Sequence, residues 1–338
     1  MTGRERVLSV LGGTPADSIP LMPITMMAAA DAIGVPYRQY ATDALAQARG
    51  QTAIAGEFDL DHVSAISDPG VEAADCGAAV FFPDDMPPAV DEAVSLLLEK
   101  STLARLRVPA PEDGRRMSNR LAAVAALKRS AGGAKLVEGW IEGPCAEAAD
   151  LRGINRLMLD FIDDPSFVEE LFDFVTELGI RFAASQVEAG ADLIGIGDAA
   201  ASLVGPTIYN RFDLPRVKRI VDSIKSTGAL VRLHICGDIT PLLPSIAEIG
   251  CDIVDADSMV SLGRARAALG PRVALLGNID PVRVLLEGST DEISRAVAAS
   301  AREAGFPYIV GAGCEVPRGT PRQNMEALRR FARGGAQQ

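Results

Sequence analysis

Histidine, aromatic residues and long apolar stretches are all scarce in this sequence. Its 338 residues include 2 His, 1 Trp, 4 Tyr and 11 Phe. No stretch approaches the roughly 18–20 uncharged apolar residues that a membrane-spanning helix needs. The first apolar run, 7–11, is too short for a secretory signal. We therefore expect a cytoplasmic protein that has no membrane partner.

Positive charge is also in deficit. The chain has 33 Lys and Arg against 45 Asp and Glu, a net charge of −12. Because a polyanion is held by a basic surface, this balance argues against a dedicated nucleic-acid binder. Hydrophobic residues make up 48% of the chain and charged residues 23%. That composition is typical of a folded protein with a large core and rules out disorder as the main state.

The five cysteines stand at positions 76, 145, 236, 251 and 314. Their odd number and wide spacing match neither a disulfide framework nor a zinc finger. In a reducing compartment they are better interpreted as thiols or metal ligands.

Short β-rich runs alternate with amphipathic segments along the chain. The runs lie at 19–25, 62–67, 135–141, 192–197, 230–236, 253–257, 273–278 and 308–313. Helix start signals occur at Asp164-Pro165, at Ser261 and at Thr320-Pro321. Eight strands that alternate with helices are the number that closes a parallel (β/α)8 barrel. A doubly wound open sheet is the alternative, although no Gly-rich phosphate-binding turn follows the first run.

We accordingly predict an α/β fold, a single TIM-type barrel over residues 19–334. An N-terminal arm, 1–18, precedes the barrel, an elaborated connection, 69–134, follows its second strand, and a short tail, 335–338, ends the chain.

One histidine and two cysteines stand where barrel enzymes place their chemistry. His234 and Cys236 are two residues apart at the end of a predicted strand, so they point to the same face. Cys314 occupies the equivalent place after the last strand. One imidazole and two thiolates suit zinc, and three protein ligands leave a position open for catalysis. The alternative is that all three residues are ordinary core side chains.

Several segments resemble the uroporphyrinogen decarboxylase family. They are 4–7, 17–20, 143–144, 277–281, 234–237, 313–317 and 320–321. The most specific are His234-x-Cys236-Gly237 and Gly313-Cys314-Glu315, which are similar to the zinc-binding set of the corrinoid:thiol methyltransferase branch. The likeness runs over nearly the whole chain and is weakest between about 69 and 134.

This resemblance implies a zinc ion held by His234, Cys236 and Cys314. A small thiol such as coenzyme M or homocysteine would react as a thiolate and exchange a methyl group with methylcobalamin. The chain has no Asp-x-His-x-x-Gly segment, so the corrinoid is expected to arrive on a separate corrinoid protein. The identity of the acceptor and the direction of transfer stay open.

Two other functions compete with this one. The decarboxylase branch has an Arg-rich stretch after its first strand, whereas residues 22–37 contain no Arg. Asp68 nevertheless stands where that branch has its acidic catalytic residue. The second competitor is a non-catalytic subunit that binds zinc or docks a corrinoid protein.

Further polar residues end predicted strands. We predict catalytic roles for Asp68 and Asp198, and substrate binding by Glu142 and Asn278. For each strand-end residue the alternative is a cap or hydrogen bond within a turn, because such turns favour Asp and Asn. Trp140 is expected in the core.

Overall fold

A curved parallel sheet forms the centre of the molecule in the computed structural model, which describes residues 1–334. Within these residues the sheet has seven strands in the spatial order β1, β4, β5, β6, β7, β8, β9. The strands are β1 His62–Ser64, β4 Leu136–Glu142, β5 Leu193–Gly197, β6 Leu230–Ile235, β7 Ile253–Ala256, β8 Ala274–Leu276 and β9 Tyr308–Ile309. Strands β2 Val80–Phe81 and β3 Ala89–Val90 form a separate antiparallel pair.

Helices cover the outside of the sheet and fill the connections. The α-helices are α1 Gly3–Leu11, α2 Met26–Ala32, α3 Tyr37–Thr42, α4 Ala44–Glu57, α5 Val71–Cys76, α6 Arg115–Ala131, α7 Pro144–Arg152, α8 Ile154–Asp163, α9 Pro165–Glu188, α10 Gly205–Ile208, α11 Leu214–Ser226, α12 Leu243–Ile246, α13 Leu262–Leu269, α14 Thr290–Ala304 and α15 Arg322–Ala332. Short 3₁₀ turns cover Glu92–Val94, Lys100–Arg105, Ala199–Leu203 and Thr240–Leu242, and π turns cover Tyr209–Asp213 and Pro281–Leu286. None of the helices in residues 1–334 is long and apolar enough to cross a membrane.

The predicted first strand is the main difference from the expected barrel. In place of a strand over 19–25, Leu21 makes a single parallel bridge to Val310. The Asp61 backbone N–H, just before β1, donates to the Leu21 carbonyl at 2.9 Å. Because Pro20 and Pro23 lack a backbone N–H, this segment cannot extend a ladder in either direction. It still links the last strand to the first.

The α/β class and the parallel barrel-type sheet are thus confirmed, with this reduced first strand as the correction. Two helix start signals are also confirmed. Asp164 caps α9 by accepting from the Phe167 N–H, and Ser261 caps α13. The third helix, α15, begins just beyond Pro321.

The interior of the sheet is layered along the strand direction. An apolar layer at the N-terminal ends of the strands includes Leu136, Leu193 and Ile253, and Val7 of α1 packs against it. Above it, fully buried Arg232 pairs with Glu138 on β4 at 3.2 Å and with Asp255 on β7 at 2.5 Å. This ionic layer supports the residues at the C-terminal ends of the strands.

The N-terminal segment is tied to the barrel by ion pairs. Buried Arg6 in α1 pairs with Asp17 at 2.7 Å and with Asp61. The connection 69–134 contains α5, the β2–β3 pair and α6. The domain boundaries stay predictions, and the predicted tail 335–338 lies outside the described residues.

Candidate metal centre

The three predicted donor residues meet at the C-terminal end of the sheet. His234 Nε2 lies 3.2 Å from Cys236 Sγ, which lies 3.8 Å from Cys314 Sγ. All three donor atoms are within 4.8 Å of one another, and in residues 1–334 no other set of three or more His, Cys, Asp or Glu residues brings its donor atoms together closely enough to hold a metal ion. The alternating side-chain direction of β6 places His234 and Cys236 together, and the loop after β9 supplies Cys314.

Asp255 fixes the imidazole of His234. The two residues are register partners on neighbouring strands, and His234 Nδ1 lies 3.2 Å from both the carboxylate and the backbone carbonyl of Asp255. Arg232 donates to the same carboxylate oxygen, Oδ2, that faces His234. A histidine ligand whose second nitrogen is held by a carboxylate is the usual arrangement at metal sites. No sequence pattern singled out Asp255. A charged residue inside an otherwise apolar strand could have identified it as a candidate site residue.

The pKa values of Cys314 and His234 are shifted in opposite directions. The hydrogen bond from Cys236 is the largest influence that lowers the pKa of Cys314 to about 5, against the opposing effect of burial. Burial lowers the pKa of His234, but the carboxylate of Asp255 outweighs it and raises that pKa to about 10. One nitrogen and two sulfur donors at these separations fit a borderline-soft ion such as Zn²⁺.

A small cavity of about 170 Å³ opens beside the donors. Its walls are partly apolar, from Ile24, Met26 and Ile66, and partly acidic. Trp140 is buried in the core, as expected, and it also lines this cavity. Three further residues in the wall are the acids Asp68, Glu142 and Glu315.

Two glycines of β5 make room for the indole of Trp140. A Cβ atom on Gly195 would stand 2.3 Å from the ring, and one on Gly197 would stand 2.9 Å from it. Trp140 therefore lies across β5 and forms one side of the cavity. Its Nε1 donates to Glu142 at 3.1 Å.

Asp68 lies in the cavity wall but is already paired. Its carboxylate accepts from Arg116 at 2.6 Å and from the Ser67 hydroxyl at 2.8 Å. A larger cavity of about 500 Å³ lies beyond it and is lined by Arg38, Arg115 and Arg116 among others. The absence of Arg from residues 22–37 therefore does not mean that the protein lacks a basic pocket, because α3 and α6 supply one.

Glu142 and Glu315 are the two remaining acids of the cavity wall. Burial is the main cause that raises the pKa of both, that of Glu315 to about 7. Glu315 accepts from the Met27 backbone N–H at 2.7 Å. In the sequence Glu315 stands out only as part of the Gly313-Cys314-Glu315 motif, which predicts no role for it.

The structure does not bring Asp198 and Asn278 to the cavity. Asp198 is fully buried and accepts from the Ala146 N–H at the start of α7. Asn278 donates to the carbonyls of Asp257 and Val260, at 2.9 and 2.6 Å. Asp198 therefore caps the start of α7 and Asn278 holds the loop after β7, in line with the alternative considered for strand-end polar residues.

The fold and the donor cluster together define a barrel-type α/β protein with a candidate metal centre at the mouth of the sheet. The chain belongs to the uroporphyrinogen decarboxylase (URO-D) family, whose model matches residues 2–334.

Individual relatives point to one branch of that family. The chain is 28% identical to the methylcobamide:CoM methyltransferase MtaA of Methanosarcina barkeri, over 97% of this chain and 96% of that protein. A solved methyltransferase from Methanosarcina mazei superposes with a TM-score of 0.90 at 26% identity, over 99% of each chain. The uroporphyrinogen decarboxylase of Myxococcus xanthus is 34% identical, but over only 45% of this chain and 42% of its own length.

Proposed function

We propose that this chain is a zinc-dependent methyltransferase that moves a methyl group between a corrinoid and a small thiol. The observation that carries the proposal is the cluster of His234, Cys236 and Cys314, whose donor atoms lie within 4.8 Å of one another beside a cavity. The relative MtaA, similar over nearly its whole length, is named as a methylcobamide:CoM methyltransferase.

The chain's own residues would divide the work as follows. His234, Cys236 and Cys314 would hold the ion, and Asp255 would keep the imidazole in position. Zinc bound there would lower the pKa of a substrate thiol, so that its sulfur reacts as a thiolate. The sulfur electron pair would form the new S–C bond, while the electrons of the broken Co–C bond would stay on cobalt.

The dimensions of the cavity favour a small thiol and a corrinoid held outside. A volume of about 170 Å³ accommodates a few heavy atoms beside the donors but not a corrin ring. Leu203, Met259 and Val282 are 67%, 66% and 46% exposed, on the loops after β5, β7 and β8. Exposed apolar side chains around such a mouth are typical of an interaction site. We infer that a corrinoid protein docks on this face.

Metal analysis combined with a methylcobalamin assay tests the proposal. We expect about one zinc per chain and a thiol-dependent change of the absorption spectrum from methylcobalamin to cob(I)alamin. Cys236→Ala and Cys314→Ala should lose both zinc and activity, whereas Cys251→Ala, a buried thiol away from the cluster, should keep both. Normal turnover by metal-free protein would refute the proposal. A panel of thiols that includes coenzyme M and homocysteine would identify the acceptor.

The arginine-lined cavity beyond Asp68 favours one second candidate, a uroporphyrinogen-type decarboxylase. Arg38 and Arg115 are positioned to meet carboxylates of a substrate, but Arg116 is already bound to Asp68. Turnover of uroporphyrinogen that is unaffected by a zinc chelator would establish this candidate in place of the first.

A further inference from the structure

Four carboxyl groups lie together behind the cavity wall, and we call them the carboxyl cluster. They are Glu72 on α5, Glu142 at the end of β4, and Glu147 and Asp150 on α7. Glu72 Oε1 accepts from the Glu142 backbone N–H at 2.9 Å. Glu72, Glu142 and Glu147 are buried, and Asp150 is half-buried.

The cluster has too few hydrogen-bond donors to be fully ionised. Within residues 1–334, both carboxylate oxygens of Glu147, Oε2 of Glu72 and Oδ2 of Asp150 are buried without a hydrogen-bond partner. Arg120 on α6 approaches the cluster, with Nη1 3.7 Å from Glu72 Oε2, and it supplies one positive charge. A buried carboxylate ion without donors is costly, so the cluster must hold protons of its own.

The electrostatics of the cluster agree with this geometry. Burial is the largest cause that raises the pKa of all four groups, and it brings that of Asp150 to about 7. The charged groups that face these carboxyls from neighbouring elements are Arg120 on α6, Asp68 after β1 and Glu92 in the connection. Carboxyl groups that hold a proton in the folded protein can take part in proton transfer.

Glu142 connects the cluster to the metal cavity. It pairs in register with Gly197 on β5, which pairs in register with His234 on β6. Two strand spacings put the Glu142 and His234 Cα atoms about 10 Å apart. Gly197 has no side chain, and the two side chains face the same cavity beside the Trp140 indole.

A thiol that reacts as a thiolate has to give up its proton inside this cavity. Asp68 is committed to Arg116 and Ser67. We propose that the carboxyl cluster conducts the thiol proton between the cavity and the protein surface, with Glu142 as its inner end and Asp150 as its outer end. The inference rests on the proposed thiol chemistry. The S–H bond breaks with its electron pair left on sulfur, Glu142 accepts that proton on one carboxyl oxygen as it passes the proton it already holds to the rest of the cluster, and a proton of Asp150 leaves to water.

Proton release on thiol binding tests the relay without methyl transfer. Zinc-loaded protein would be mixed rapidly with 2-mercaptoethanesulfonate (coenzyme M) in weak buffer that contains a pH-indicator dye. We expect Glu142→Gln and Glu147→Gln to slow proton release by roughly a hundredfold, the range for a positioned proton-transfer group. Glu177→Gln, an exposed substitution of the same type on α9, is the matched control and should release protons at the wild-type rate. An unchanged rate in Glu142→Gln, or slow release in Glu315→Gln alone, would overturn the relay.

An infrared measurement on metal-free protein tests the cluster itself. Protonated carboxylic acids give a separate carbonyl stretch, and we expect this band near neutral pH in the wild type and in Glu177→Gln. Glu142→Gln and Glu147→Gln should each reduce it. Absence of the band in the wild type would refute the inference whatever the zinc content. If the band is present but zinc-loaded wild type releases no proton when the thiol is added, both the proposed thiol activation and the relay are refuted, although the cluster itself stays protonated.

Discussion

Asp255→Asn removes the charge that fixes His234, and its effect can be separated from general damage to the ionic layer. Arg232 has two carboxylate partners, Asp255 at 2.5 Å and Glu138 at 3.2 Å. Of these two, Asp255 is the one whose carboxylate lies 3.2 Å from His234 Nδ1. Glu138→Gln therefore takes the same kind of partner from Arg232 and leaves the imidazole contact intact, which makes it the matched control.

The expected magnitude follows from these contacts. Loss of a carboxylate behind a histidine ligand typically lowers metal affinity about 10- to 100-fold, or about 1.4–2.7 kcal/mol. Loss of one partner of a buried ion pair costs about 3–5 kcal/mol of stability, and both variants should show it. The charge of Asp255 also raises the pKa of His234, so zinc would have to compete with a proton in the wild type. The difference in zinc affinity between wild type and Asp255→Asn should therefore grow between about pH 7 and about pH 9.

Zinc affinity would be measured by competition with a chromophoric chelator, and stability by denaturant unfolding of the same samples. We expect Asp255→Asn to bind zinc at least about tenfold more weakly than Glu138→Gln at the higher pH. Equal affinity in the two variants would show that the carboxylate acts only through the fold, and the role given to Asp255 would then be wrong.

Three further substitutions test other parts of the site. Gly197→Ala would place a Cβ atom 2.9 Å from the Trp140 ring and push that ring into the cavity. We expect the KM for the thiol to rise about tenfold and the protein to lose about 1–3 kcal/mol of stability. Metal analysis should show an unchanged zinc content. Arg116→Ala would remove the positive charge that pairs with the buried carboxylate of Asp68. We expect the free energy of unfolding, measured with denaturant, to fall by about 3–5 kcal/mol. Arg116→Lys keeps a positive charge and should lose less stability. The pKa of Asp150 is raised from 3.8 to about 7 in the folded chain. Between these two pH values the folded chain holds a proton on Asp150 that the unfolded chain has released. The contribution of Asp150 to stability therefore falls as the pH rises from 3.8 to about 7. Asp150→Asn should remove that slope and stabilise the protein by at most about 4 kcal/mol near neutral pH, and unchanged pH dependence of unfolding would contradict this.

The sequence predicts the donor cluster well because the required geometry is local or repeated. His234 and Cys236 are brought together by the two-residue period of one strand, and Cys314 by the rule that parallel strands end at the same edge of a sheet. Asp255 and Arg116 were missed because their importance depends on partners on other elements. Arg116 is 48 residues from Asp68, and Arg232 is 94 residues from Glu138. A one-dimensional pattern carries no signal for such pairs.

The connection 69–134 contributes two contacts on the acidic side of the cavity. The connection 69–134 supplies Arg116, which neutralises Asp68, and Glu72, which binds the backbone of Glu142. The candidate metal donors and Asp255 come instead from β6 and the residue after it, from β7, and from the loop after β9. On the proposed function, the barrel would supply the metal site, while the connection would set the charges and protons that a substrate meets. Changes within the connection are therefore expected to alter thiol preference and proton release while zinc content stays the same, and an altered zinc content would show that the two parts of the site are not separable.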